Sequence, residues 1–253
     1  MRTLQSLLLL FFTQSLFSAP QFSTENIEGW TVYLNKSANN KAKNEARAFL
    51  AKDLRIIKQK VPNNALDVLQ KISITVGRGS NKFWAKYSYG NKSVEFKSVK
   101  GFIDGRGVYP DVVLHEMAHG YHTLKIGLDY RKDSPDGSVS KELKQSLVAA
   151  WKRHKTDYSS LGKNALTPKN KPSNSFFLKW ATLNQLEYFA EMSTTHYGVH
   201  RYWAEIKDKD SERVIGELWG EKKTGQIKEV NKRTFAHPLT RRGLRILMRQ
   251  PQK

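Results

Sequence analysis

The sequence predicts an α+β fold, with a small mixed sheet in its first half and two chemically loaded helices in its second. Three observations predict it. Short runs rich in β-branched and aromatic residues fall before residue 110, apolar spacing turns to three and four residues beyond residue 111, and ionisable residues in that later part sit four apart among apolar neighbours.

The N-terminus comes first. One charge at Arg2 precedes the apolar run Leu7 to Phe12, and small residues follow at Ser18 and Ala19, the pattern of a secretory signal peptide over residues 1–19 with its boundary between 18 and 23. Thr13, Gln14 and Ser15 interrupt the run too early for a membrane-spanning helix. The expected location is therefore secreted or periplasmic, with no membrane span after cleavage. The remainder, 24–253, reads as one domain: a strand-rich lobe at 24–110, a helical lobe at 111–229 and a basic tail at 230–253.

The chain has no cysteine, so disulfides do not hold it, and core packing or a bound metal must. Its 43 Lys and Arg against 23 Asp and Glu give a net charge of +20. Such a surface associates with anionic polymers, cell-wall material among them, in a salt-dependent way. No zinc-finger, RNA-binding or helix-turn-helix pattern accompanies the charge, so dedicated nucleic-acid binding is not expected.

In order along the chain, residues 30–34 (WTVYL) form a strand and residues 35–40 a turn. Residues 41–61 form a helix, with Ala46, Phe49, Leu50, Leu54, Ile57 and Val61 on one stripe, and Pro62 ends it. A short helix at 64–70 and a strand at 71–76 follow. Residues 77–91 carry Phe83, Trp84, Tyr87 and Tyr89 among glycines and lysines, which reads as an aromatic-packed hairpin in preference to a substrate-facing loop. Residues 93–99 form a short strand, of which Val94 to Val99 are offered as the sheet edge that pairs with a substrate backbone, and glycines at 101, 105 and 107 make a link to what comes next.

What comes next is DVVLHEMAHGYHTLKIGL at 111–128, one helix containing His115-Glu116-x-x-His119. Residues four apart share a helix face, so the two imidazoles aim at one point, as two nitrogen ligands of a zinc ion require. Glu116 sits beside that point without occupying it, where a carboxylate serves as general base toward an attacking water. Chance alone gives H-E-x-x-H in roughly one chain in a hundred of this composition, and the uncharged flanks Val112, Val113, Leu114, Met117, Ala118 and Tyr121 favour a buried helix.

A third ligand is expected in the helix at 182–197. Glu187 and Glu191 are four apart among Leu183, Leu186, Phe189 and Ala190, and carboxylates in such company need partners. A metal supplies one for Glu187, and the free ring N–H of a zinc-helix histidine supplies one for Glu191. His122, His196 and His200 are rival ligands, but His122 points partly off the shared face and His196 lies too far along its helix from Glu187.

LHEMAHGYH together with NQLEYFAEM resembles the lethal-factor-like branch of the gluzincin zinc metallopeptidases, the family typified by the catalytic domain of anthrax lethal factor, and more narrowly a branch of secreted bacterial proteins opening on a similar EGWTV strand. The resemblance spans residues 26–202. It implies a zincin-like metallopeptidase domain, Zn2+ as cofactor held by His115, His119 and Glu187, Glu116 as catalytic base, Glu191 as a supporting residue, and a peptide or protein substrate cut at an amide bond. One position departs from it. Where the family places a tyrosine that steadies the developing oxyanion, this chain has Trp180, which offers only an indole N–H. Tyr188, Tyr197 and Tyr202 are nearby substitutes.

Between the motifs, residues 139–154 form a charged helix, and the Lys-, Pro- and Asn-rich residues 161–175 form a loop long enough to serve as a lid. A last helix is expected at 208–220. The tail at 230–253 has seven Lys and Arg and no acid.

Overall fold

A computed structural model describes residues 21–78, 84–106, 109–159, 174–197 and 209–221. The signal peptide expected at 1–19, the candidate lid up to residue 173, His200, Tyr202 and the basic tail at 230–253 lie outside them. No helix among the described residues is long and apolar enough to cross a membrane.

The fold is α+β around a five-stranded mixed sheet in the order β1-β2-β3-β5-β4. Strands β1 (Phe22–Ile27) and β2 (Trp30–Asn35) form an antiparallel hairpin. Its two turn residues, Glu28 and Gly29, both have positive φ (53° and 101°), the backbone that matches the twist of a tight hairpin. Strand β1 begins inside the range left open for signal cleavage and was not expected as a strand. Its polar, half-buried pattern carries little apolar periodicity to announce it.

Helix α1 (Asn40–Lys60) starts on Asn39, whose side chain accepts the Ala42 N–H, and stops at Pro62, with α2 (Asn63–Leu69) directly after. The chain then returns as β3 (Ser73–Val76), parallel to β2. The apolar stripe of α1 packs onto the sheet, where Trp30, Val32, Leu34, Ile74, Val76, Val94 and Phe96 are all fully buried. The Trp30 indole donates to Leu69 O at 2.9 Å, tying β2 to the end of α2.

Within the aromatic stretch, residues 79–83, Phe83 among them, lie outside the described residues, and the rest gives one strand, β4 (Ala85–Ser88), whose hairpin partner is the next expected strand, β5 (Ser93–Phe96). The expected edge is corrected here. Strand β5 pairs parallel with β3 on its other side, so it lies inside the sheet and β4 is the edge. All four β5 residues are buried, as a strand paired on both sides demands. The expected glycine link is also a helix, α3 (Val99–Arg106), pinned to α1 by the buried pair Arg106–Asp53, Nε to Oδ2 2.7 Å.

The helices α4 (Val112–Tyr121), α5 (Lys141–Tyr158), α6 (Asn174–Ala181), α7 (Gln185–His196) and α8 (Lys209–Leu218) complete the described chain. A single π turn, His122–Ile126, continues α4 and ends at Gly127 with φ 80°. The expected helix over 111–128 therefore changes character at His122, where the wider turn rotates the residues that follow.

Candidate metal centre

Every residue of α4 is buried, because the helix runs between the sheet on one side and α7 on the other. Gly120 makes the sheet contact possible, since a Cβ there would lie 2.5 Å from Ile72 Cδ1 and 2.8 Å from Tyr87 Cε2. The α7 contact is set by stacked rings. Tyr121 lies on Trp219 with centroids 4.1 Å apart, and Phe189 lies on the same indole at 5.7 Å. Trp219 Nε1 donates to Ser193 Oγ at 2.9 Å, so the residue just past α8 clamps α4 to α7.

The orientation of α7 is local. Asn184 caps it, its Oδ1 accepting the N–H groups of Leu186 and Glu187 at 2.9 Å each. Glu187 thereby falls in the first turn, where exposed amides favour a carboxylate.

These constraints bring His115, His119 and Glu187 together as a group able to hold a metal ion. The two Nε2 atoms are 3.1 Å apart, and Glu187 Oε2 lies 3.3 Å from that of His115 and 3.5 Å from that of His119. A tetrahedral ion bound at the usual zinc–nitrogen length keeps its ligand atoms about 3.4 Å apart, so the three atoms fit one face of such a site. The electrostatics agree. Burial opposes a charge on His115, yet the carboxylates of Glu191 and Glu187 hold its imidazole well above its usual range. Burial likewise opposes the Glu187 anion, but His119 and His115 keep its carboxyl well below the usual carboxylate range. The pocket is built to enclose positive charge, and a proton or a cation meets that demand.

Behind His115 stands a relay that sequence reasoning found only in part. Glu191, fully buried, lies 3.2 Å from His115 Nδ1. Tyr109 bridges the two, its hydroxyl 2.5 Å from Nδ1 and donating to Glu191 Oε1 at 2.6 Å. With Nδ1 engaged on that side, Nε2 is left for the centre. Tyr109 precedes α4 in a glycine-rich link and belongs to no periodic segment, so no local signal marked it. Among the described residues the Nδ1 of His119 has no hydrogen-bond partner.

Glu116 stands outside the ligand group. It is buried, and it accepts a hydrogen bond from the backbone of Tyr87 in β4. Burial and then Glu187 push its carboxyl above the ordinary value, while His115, His119 and the Tyr87 amide restrain the rise. A carboxylate moved toward neutrality suits a base better than an ordinary one.

Trp180 faces the site, its Nε1 donating to Glu187 Oε2 at 2.6 Å. The two expected substitutes among the described residues, Tyr188 and Tyr197, do not join it. Tyr188 bonds Ser211 of α8, and Tyr197 is buried with its ring edge-on to Trp219. The rival histidines also have other partners: His122 Nε2 meets Tyr130 Oη at 2.7 Å, and His196 meets Glu221 at 3.0 Å.

No family model, curated protein or solved structure matches the chain.

Proposed function

We propose that this protein is an exported zinc metallopeptidase of the zincin-like, gluzincin type, cutting peptide or protein amide bonds. The observation that carries the reading is the convergence of His115, His119 and Glu187 with Glu116 adjacent and outside the ligand set. A zinc ion held there supplies Lewis acidity, polarising a carbonyl and acidifying water. Glu116 takes a proton from the attacking water and passes it to the departing amine, so one C–O bond forms, one C–N bond breaks and one water is consumed. The outer edge of β4, unpaired among the described strands, offers backbone groups to an extended substrate beside Glu116. Export rests on the N-terminal pattern, and the +20 charge favours an anionic surface or polymer where the enzyme works.

Trp180 supports a second reading, a zinc-holding binding protein whose chemistry has weakened. One set of measurements separates them. Purified protein is analysed for zinc and incubated with a mixed peptide library, alongside Glu116→Gln and Glu187→Ala. A peptidase is expected to contain about one zinc, to lose cleavage in Glu116→Gln with the metal retained, and to lose the metal in Glu187→Ala. Zinc with equal signal from wild type and Glu116→Gln sinks hydrolysis and leaves the binding reading. Full zinc occupancy in Glu187→Ala refutes the ligand assignment.

A further inference from the structure

Hydrolysis of an amide needs, besides a base, a donor for the carbonyl oxygen that becomes negative as water adds. The nearby groups that could donate are mostly committed. The Trp180 indole N–H is spent on Glu187 Oε2 at 2.6 Å. Tyr109 Oη is held between His115 and Glu191, and Tyr130 Oη meets His122. Tyr87 Oη has no hydrogen-bond partner among the described residues, but it is buried with its ring against Gly120 of α4, away from a ligand at the surface of the site.

Tyr89 differs from these. Lys97 N–H bonds Trp84 O, so alternate residues of β4 turn their backbone groups toward β5, and Tyr87 turns its own to the outer edge, where Glu116 accepts from it. Tyr89 follows Ser88, the last residue of β4, in the turn toward β5, two residues beyond Tyr87, whose ring lies on the α4 side. The two rings do meet there, edge to face at 5.2 Å. Tyr89 is nonetheless 49% exposed, so it presents surface to a ligand lying along β4. Partial burial and then the carboxylates of Glu187 and Glu116 raise its phenol above the ordinary value. It therefore feels both carboxylates and keeps its proton at neutral pH.

We infer that Tyr89 is the catalytic donor of the site, its hydroxyl hydrogen-bonding the oxyanion of an amide substrate from the β4 side. The inference rests on the peptidase reading and adds the residue that completes it. The O–H bond stays intact throughout; what changes is the strength of the hydrogen bond as charge gathers on the oxygen.

The test is Tyr89→Phe in the zinc-loaded full chain, which keeps the ring on Tyr87 and removes only the hydroxyl. Zinc content, kcat and KM are measured on a peptide that the wild type cleaves, and the affinity for a phosphinic analogue of that peptide is measured by calorimetry. The expected result is unchanged zinc, a KM within about twofold, a kcat lower by on the order of a hundredfold, and phosphinate binding weaker by about tenfold or more. Trp180→Phe serves as the contrasting variant, since its loss should appear in zinc affinity. Wild-type kcat and phosphinate affinity in Tyr89→Phe, with Glu116→Gln silent, overturn the role of Tyr89 alone. A wild type that cleaves nothing, or a Glu116→Gln that cleaves as well, overturns the peptidase reading and this inference with it.

Discussion

At the scale of single residues, the hydroxyl of Tyr109 does the work of two contacts. It holds the imidazole of His115 by Nδ1 and satisfies a buried Glu191 oxygen. Tyr109→Phe keeps the ring and deletes both bonds, so zinc is expected to bind about 10- to 100-fold more weakly, the usual consequence of losing a group that orients a metal-ligating histidine. Competition with a chromophoric chelator measures it, and unchanged affinity would show that Glu191 alone orients the ring. His115, Glu116 and His119 were legible in the sequence because their geometry belongs to one helix, and helical spacing is local. Glu187 was legible for a related reason, as a carboxylate among apolar neighbours advertises a partner. Tyr109 and the bond from Trp180 to Glu187 were not, since each depends on which side chain of another element arrives beside it.

At the scale of elements, the helices emerged from the sequence more faithfully than the sheet. The apolar stripe of α1 and its Pro62 stop are local signals, whereas the order of strands depends on pairing between distant segments, and nothing in the residues of β5 announces the parallel pairing with β3 that moves it off the edge. The π turn after α4 was equally invisible, and it carries a consequence. His122 is fully buried there, beside Tyr130 and Phe189. Burial first, then His119 and Lys144, depress its pKa to about 3. The unfolded chain, with an ordinary histidine near 6.5, takes up the proton first, so this stability is intact above about pH 6.5 and drains as pH falls toward 3. Between pH 6.5 and pH 5 the loss is about 2 kcal/mol. Denaturant unfolding of wild type and His122→Gln at both pH values should show that much less acid sensitivity in the variant. Equal sensitivity would mean that His122 is not the proton acceptor.

At the scale of the molecule, the question is how much of the fold depends on the metal. Without cysteines, the junction of α4 and α7 rests on the stack of Tyr121, Phe189 and Trp219 and on whatever neutralises Glu187 and Glu191. The stack does not need an ion, so the metal-free chain should keep its helices. The carboxylates do need one, or else a proton on His115, and exchanging that proton for zinc should raise the stability of the folded form. At a free zinc concentration a thousand times its Kd, mass action adds about 4 kcal/mol, which for a chain of this size moves the melting temperature by on the order of 10 °C. Calorimetric melting with zinc and with a chelator checks this, with far-ultraviolet circular dichroism run on the same samples. The expected pair of results is one helical signal and two melting temperatures, with the difference absent in Glu187→Ala. A chelated protein that loses its helices would place the metal among the supports of the fold, and one that melts unchanged would mean that no ion is held by these three side chains.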